Sequence, residues 1–161
     1  MHIPDGFLDT KTIVATTALS AVGIAAAWRQ TQRHVQPQRI PLLGVAAAFV
    51  FAAQMLNFPV AGGTSGHLMG AVLSTVLLGP GAAVIVMCCV LVVQCFLFAD
   101  GGVLALGTNI FNMAILAPVV GNVIYGAIHR AIGGERGRIA AVAVASWCSV
   151  VLASICCAGE L

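Results

Sequence analysis

The sequence predicts an all-α integral membrane protein, with about six helices that span or partly enter the membrane. Hydrophobic residues make up 60% of the 161 positions, charged residues only 7%, and the mean hydropathy is +1.05. Soluble domains carry about 25% charged residues, so this chain lacks the residues to cover a water-facing globule. Its apolar runs approach the roughly 20 residues needed to cross a bilayer. Its polar residues are confined to short breaks between those runs.

Each predicted helix ends where the sequence changes character. The first apolar run ends at Trp28 and Arg29, and the second stops at Pro59 and the glycines that follow. The long apolar tract 67–98 is divided by Gly79-Pro80-Gly81, which is typical of a tight turn. Together with an N-terminal segment over 1–9, the chain is therefore expected to form a single membrane domain over 1–161, with helices at about 12–28, 42–58, 67–78, 82–98, 108–128 and 139–158.

Two basic segments predict the orientation of these helices. Residues 29–41 and 129–138 hold most of the arginines, and segments of this kind face the cytoplasm. Four predicted helices separate them, an even number, which returns the chain to the same side. The N-terminus and the loops over 59–66 and 99–107 are then expected outside. One unbroken helix over 67–98 would leave three crossings and put the second basic segment on the wrong side.

The third predicted helix, 67–78, is too short to cross a bilayer core of about 30 Å alone. The glycine-rich loop before it is expected to dip into the protein, which is possible only where irregular backbone is shielded or lines a cavity. Such a loop brings His67 to a buried position. Ionisable residues at membrane depth are costly and usually functional. The alternative is that His67 only hydrogen-bonds within a packed loop.

The first two residues suggest a metal chelate. The amino group of Met1, the amide nitrogen of His2 and a ring nitrogen of His2 can close two fused chelate rings and fill three corners of a square. His67 is the candidate for the fourth corner. Nitrogen donors in a square favour Ni(II) or Cu(II) over hard cations. The alternative is an unimportant N-terminal histidine, since termini are usually poorly ordered.

The chelate requires a free amino group on Met1, and Met1 is expected to be the mature N-terminus. Asp5, Asp9 and Lys11 precede the first apolar run, which is unlike a cleavable leader. Asp5 is expected to set a turn at Pro4-Asp5-Gly6 that folds segment 1–9 back toward the helix bundle.

Polar residues near the predicted site are candidates for orienting the histidines, because a metal-bound histidine usually donates its second ring hydrogen to an oxygen. The candidates are Thr64, Ser65, Asp100 and Asn109.

Other chemistries find little support. The sequence has no GxxxxGK[ST] or GxGxxG phosphate-binding motif, no HExxH and no ordered Ser-His-Asp set, so neither ATP hydrolysis nor another enzymatic activity is predicted. The formal charge of +2 is too small to indicate nucleic acid. All six cysteines fall in apolar runs, where they are expected to pack as small hydrophobic residues.

Four motifs resemble one known family. MHIPDGFLD at 1–9, FVFAAQMLNFPVAGGTSGHLMG at 49–70, the LLGPGAA turn and FADGGVLALGTNIFNMA at 98–114 closely resemble the cobalt/nickel substrate-binding (S) subunit of energy-coupling-factor (ECF) transporters, the CbiM/NikM family. The resemblance implies a multi-pass protein of the prokaryotic plasma membrane that captures Ni(II) or Co(II) and uses no organic cofactor. The implied partners are a membrane coupling (T) subunit, a pair of ABC-type ATPases and a small accessory membrane subunit.

The resemblance also implies the ligands and raises a question about the C-terminus. It assigns the metal to the amine of Met1, the amide and imidazole nitrogens of His2, and His67. Family members usually continue beyond an apolar-Glu-Leu segment, so a chain ending at Glu160-Leu161 is expected to be truncated. Two other functions stay open: a stand-alone secondary transporter or channel for a divalent transition metal, and a structural membrane subunit that binds no metal.

Overall fold

A computed structural model describes residues 2–56, 58–60 and 64–161, apart from the side chains of 59, 60, 64 and 65. The described chain is mostly helical, as predicted. In chain order its elements are α1 (Thr10–His34), a 3₁₀ turn (Pro37–Arg39), α2 (Ile40–Gln54), β1 (Phe58–Val60), β2 (Thr64–Gly66), α3 (Ala71–Leu78), α4 (Pro80–Phe98), α5 (Leu106–Ile110), a π-helical segment (Phe111–Leu116), α6 (Ala117–Ile132) and α7 (Gly134–Glu160).

Four helical stretches of the described chain are long and apolar enough to cross a membrane: Thr10–His34, Pro80–Phe98, Leu106–Ile132 and Gly134–Glu160. Many of their large side chains are exposed to the surroundings, for example Val22 at 70% and Trp147 at 68%. At a rise of 1.5 Å per residue, α2 and α3 are only about 22 Å and 12 Å long. Helix α3 is therefore short, as expected, whereas α2 is shorter than the span predicted over 42–58.

Helix α1 is longer than the sequence predicted. It begins at Thr10, where Asp9 accepts a hydrogen bond from the Thr12 amide at 2.8 Å, and it runs to His34 instead of ending at 28. Arginine and glutamine are good helix formers, and no proline interrupts the chain before Pro37. The loss of hydrophobicity after Trp28 therefore does not end the helix.

The chain between α2 and α3 also differs from the prediction. Helix α2 ends at Gln54 instead of 58, and two short antiparallel strands follow, pairing Phe58 with Gly66. Helix α3 starts only at Ala71, because Gly70 adopts a left-handed conformation (φ +79°) that a regular helix cannot include. His67 consequently lies in an irregular segment ahead of α3. Residues 61–63, the glycine loop expected to dip inward, fall outside the described chain.

In the core, the 67–70 segment lies beside α4 and α5. Buried side chains from α2, the 67–70 segment, α4 and the π-helical segment form one cluster, which includes Val50, Met69, Met87, Leu91 and Met113. The π-helical segment Phe111–Leu116 lies between α5 and α6, and such wider turns often occur at functional sites. One end of this core carries the N-terminal segment described next.

Candidate metal centre

The N-terminal segment is bound to the start of the α5–α6 stretch. The amide of Ile3 donates to Asn109 Oδ1 at 2.8 Å, and Asn109 Nδ2 donates back to the Ile3 carbonyl at 3.1 Å. The Gly102 amide donates to the same carbonyl at 2.9 Å. The Ile3 side chain is 3% exposed, so it packs as part of the core. These contacts hold Ile3 in a fixed position against α5.

Asp5 anchors the same segment from its other end. Its carboxylate accepts hydrogen bonds from the amides of Val103, Leu104 and Ala105 at 3.0, 2.8 and 3.2 Å. These amides lie in the turn that leads into α5 and have no helical partner there. The sequence analysis assigned Asp5 only to its local turn. Its long-range role was missed because the partners lie 98 to 100 residues away.

Two glycines make this close approach possible. A Cβ added to Gly102 would overlap the side-chain and backbone atoms of Asp5. Gly101 has φ +95°, and a Cβ there would lie 3.0 Å from Asn109 Nδ2 and 3.4 Å from the Cβ of His2. Any larger residue at 102 would push the N-terminal segment away.

His2 lies between His67 and Asp100. The His2 and His67 ring centroids are 5.3 Å apart, and His2 Nε2 is 3.8 Å from Asp100 Oδ2. The His2 side chain is 8% exposed, and its Nε2 has no hydrogen-bond partner among the described residues. A chelate through the His2 amide nitrogen closes a six-membered ring only with Nδ1. Nε2 is then left to face the carboxylate, as is usual for metal-bound histidines.

The orientation of His67 is set by a neighbouring carbonyl. His67 Nδ1 lies 3.0 Å from the Leu68 carbonyl oxygen. A carbonyl only accepts, so Nδ1 carries the hydrogen, and in the neutral ring Nε2 keeps its lone pair. In the neutral ring this geometry therefore makes Nε2 the unprotonated nitrogen.

Both rings favour their neutral, ligating form. Burial lowers the pKa of His2 to about 4, although the nearby Asp100 carboxylate acts in the opposite direction. Burial also lowers the pKa of His67, and its hydrogen bond to Leu68 partly opposes that shift. Protons therefore do not compete for either imidazole at pH 7, since only the neutral ring binds a metal.

The structure brings together four of the predicted residues: His2, His67, Asp100 and Asn109. Met1 and the side chains of Thr64 and Ser65 lie outside the described chain. Within that chain, no three His, Cys, Asp or Glu side chains form a group that could hold a metal ion. A four-nitrogen site here would therefore need main-chain nitrogens as well as the two rings. A contact that sequence analysis missed is Cys95 Sγ, 3.7 Å from the Gly101 carbonyl oxygen.

The fold and this site define a class: a helical multi-pass membrane protein with a histidine-containing centre built on its own N-terminus. Comparison with known families agrees with that description. Residues 2–161 match the family described as CbiM, the cobalt uptake substrate-specific transmembrane region. The chain belongs to this family.

Individual relatives support the assignment. The NikMN protein of Archaeoglobus fulgidus is 44% identical over 155 residues, 96% of this chain and 50% of its own length. The fused nickel transport protein NikMN of Rhodobacter capsulatus is 38% identical over 99% of this chain and 46% of its own length. The chain thus spans about half the length of these curated relatives. A crystal structure of a truncated transition metal transporter is 35% identical, with a TM-score of 0.87 over 95% of this chain and 70% of that one.

Proposed function

We propose that this chain captures Ni(II) or Co(II) as the substrate-binding subunit of an importer. The observation that carries the proposal is the pair of imidazoles, buried in His2 and half-buried in His67, with ring centroids 5.3 Å apart beside the docked N-terminal segment. The relatives that bear nickel and cobalt transport names support the same substrates. The chain itself performs no reaction, and the metal is its cargo.

The proposed ligands are the Met1 amine, the His2 amide nitrogen and Nδ1, and His67 Nε2. Three of these nitrogens come from two adjacent residues, so docking of the N-terminal segment presents them to the ion together. The loops over 59–66 and 99–107 then close around the ion. Asp100 orients His2 through Nε2, and Asn109 holds the segment through Ile3. Thr64 and Ser65 remain candidates for orienting His67.

The metal site is proposed to face outward, with the segments 29–41 and 129–138 in the cytoplasm. Helix α1 supports this orientation. Its N-terminal half contacts the site region through a 2.7 Å hydrogen bond between Thr16 and Thr108, whereas its last turn carries Arg33 and His34. Its 25 residues measure about 37 Å, enough to separate the two ends by a bilayer. The positive end then lies on the cytoplasmic side.

ATP hydrolysis is proposed to occur on partner subunits. These are a membrane coupling subunit, a pair of ABC-type ATPases and a small accessory membrane subunit, as the family resemblance implies. Their work is to reorient the loaded chain so that the ion is released inside.

The N-terminal amine provides the direct test. One residue added before Met1 converts its amine to an amide and displaces the chelate, so calorimetry is expected to show a large loss of Ni(II) affinity. The matched control carries the same residue after Leu161. An unchanged affinity in the N-terminally extended protein would refute the proposed ligand set.

A further inference from the structure

We propose that Gln54 and Gln94 form an amide relay that positions His67 for the metal; this inference rests on the proposed function. Gln94 Nε2 donates to Gln54 Oε1 at 2.8 Å, and Gln54 Nε2 donates to the Met69 carbonyl at 2.6 Å. Gln54 is 1% exposed and Gln94 0%. The relay thus runs through the core and ends two residues after His67.

The relay also reaches the other side of the site. The main-chain carbonyl of Gln94 accepts a hydrogen bond from the Asp100 amide at 3.1 Å, at the end of α4. Asp100 faces His2. One residue, Gln94, therefore connects the segment that carries His67 with the loop that carries Asp100.

Helix α2 provides the surface on which the 67–70 segment rests. Val50 and Gln54 are its buried residues, and their spacing of four places them on one face. Gly70 lies so close to Val50 that an added Cβ would be 2.8 Å from Val50 Cγ1. Met69 is buried at 5% exposure. The relay and this tight packing together hold the main chain directly after His67.

The energetic cost of the relay argues against a packing role alone. Burying two amide side chains costs free energy unless their polar atoms are paired. Gln94 Oε1 has no hydrogen-bond partner within the described residues, so the pairing is incomplete. Two apolar side chains would fill the same space at lower cost. What the amides supply, and apolar residues cannot, is a donor directed at the Met69 carbonyl.

Breaking the relay should release His67 and leave the N-terminal chelate. Without the Gln54 donor, the Met69 carbonyl must turn to find another partner, and the 67–70 segment shifts with it. The three donors of Met1 and His2 do not depend on this contact. A water molecule then takes the fourth position, as it would in His67→Ala.

The test compares Gln54→Met with His67→Ala in the purified protein, using Ni(II) titration and the visible d–d absorption of the bound ion. Gln54→Met is expected to weaken binding by about 10- to 100-fold, the range for residues that orient metal ligands, and to give the spectrum of His67→Ala. Adding Gln54→Met to His67→Ala should cause no further loss. Gln94→Met, which keeps the contact between Gln54 and Met69, should cause a smaller loss.

Thr75→Val is the matched control. Thr75 is 4% exposed and donates to the Ala71 carbonyl at 2.8 Å within α3, so the change also removes a buried hydrogen bond to a carbonyl. It should lower the unfolding temperature but keep the wild-type spectrum and affinity.

The relay would be overturned if folded Gln54→Met kept the wild-type affinity and spectrum. It would also be overturned if the losses of Gln54→Met and His67→Ala added in the double variant. In both cases the proposed function stands. If Gln54→Met does not fold, wild-type binding in Gln94→Met overturns the relay. A wild-type protein that binds no Ni(II) overturns both proposals.

Discussion

Asp5 holds the N-terminal segment against the loop that precedes α5 with three hydrogen bonds to a carboxylate. Hydrogen bonds to charged groups are roughly twice as strong as neutral ones. Asp5→Asn keeps the shape but removes the charge, and it places an N–H₂ group against amide donors. We expect Ni(II) affinity to fall about tenfold, equivalent to about 1.4 kcal/mol. Titration calorimetry measures this change.

Asp9→Asn is the control for that experiment. Asp9 is exposed like Asp5 and also accepts a main-chain hydrogen bond, but its partner is Thr12 at the start of α1 and not the loop before α5. Its replacement should leave Ni(II) affinity unchanged. Equal losses in both variants would mean that Asp5 acts through general stability and not by docking the segment.

The pKa of His2 predicts the pH dependence of binding. The amine has an ordinary pKa of about 7.7 to 8.0, so Ni(II) affinity should fall as pH drops below that range. Because burial lowers the pKa of His2 from 6.5 to about 4, its ring should add no further proton competition between pH 7 and 5. Affinity measured across pH 5 to 9 checks this. A steeper fall beginning at 6.5 would show that the ring is exposed.

The lowered pKa of His2 also determines how docking of the metal-free N-terminal segment depends on pH. His2 is held neutral when docked and takes up a proton at about 6.5 when free. Its contribution to docking is therefore complete above pH 6.5 and is lost as the pH falls toward 4. Undocking in that window should consume one proton.

The sequence was enough to predict which residues form the candidate site, but not which residues contact them. His2 and His67 could be proposed because a terminal amine and imidazoles are recognisable metal donors. The contacts of Asp5, and of Asn109 with Ile3, join residues about 100 positions apart. Nothing in the local sequence encodes such distances, and only the packing of the N-terminal segment on α5 shows them.

At the level of elements, hydropathy located the apolar tracts but not the ends of helices. It placed the end of the first helix at 28, whereas α1 continues to His34, because leaving the membrane does not break hydrogen bonds along a helix. It merged 55–58 into α2, where a short hairpin begins instead. The turn at Gly79 to Gly81 was located well, since α3 ends at Leu78 and α4 starts at Pro80.

The loop between α4 and α5 gives a prediction at this scale. In Gly102→Ala the new Cβ would overlap Asp5, so the N-terminal segment cannot dock in its present position. We expect Ni(II) affinity to fall at least as far as in Asp5→Asn, with a smaller change in unfolding temperature, because the helices themselves are untouched. Gly44→Ala, where an added Cβ meets nothing within 4 Å, is the control and should bind normally. Normal binding by Gly102→Ala would contradict the observed docking.

For the whole molecule, the proposed metal site and the basic ends of α1 and α6 lie at opposite ends of helical stretches that are each long enough to cross a bilayer core. Helix α6 ends in His129 and Arg130, and the unbroken stretch Leu106–Ile132 begins beside the site and covers 27 residues, or about 40 Å. An ion bound at one end therefore cannot leave at the other through a short path. Under the proposed function, delivery therefore needs a movement of the loaded chain, with the energy supplied by the partner ATPases.

This separation predicts which subunits transport requires. Cells that make only this chain should accumulate no more nickel than cells without it, and uptake should appear when the coupling subunit, the accessory subunit and both ATPases are added. ATPase variants that cannot hydrolyse ATP should abolish it again, while binding of Ni(II) by the isolated chain stays intact. Nickel uptake by the chain alone, abolished by His2→Ala, would instead establish a secondary transporter or channel. The two mechanisms differ in where the driving energy enters, so the comparison with and without active ATPases decides between them.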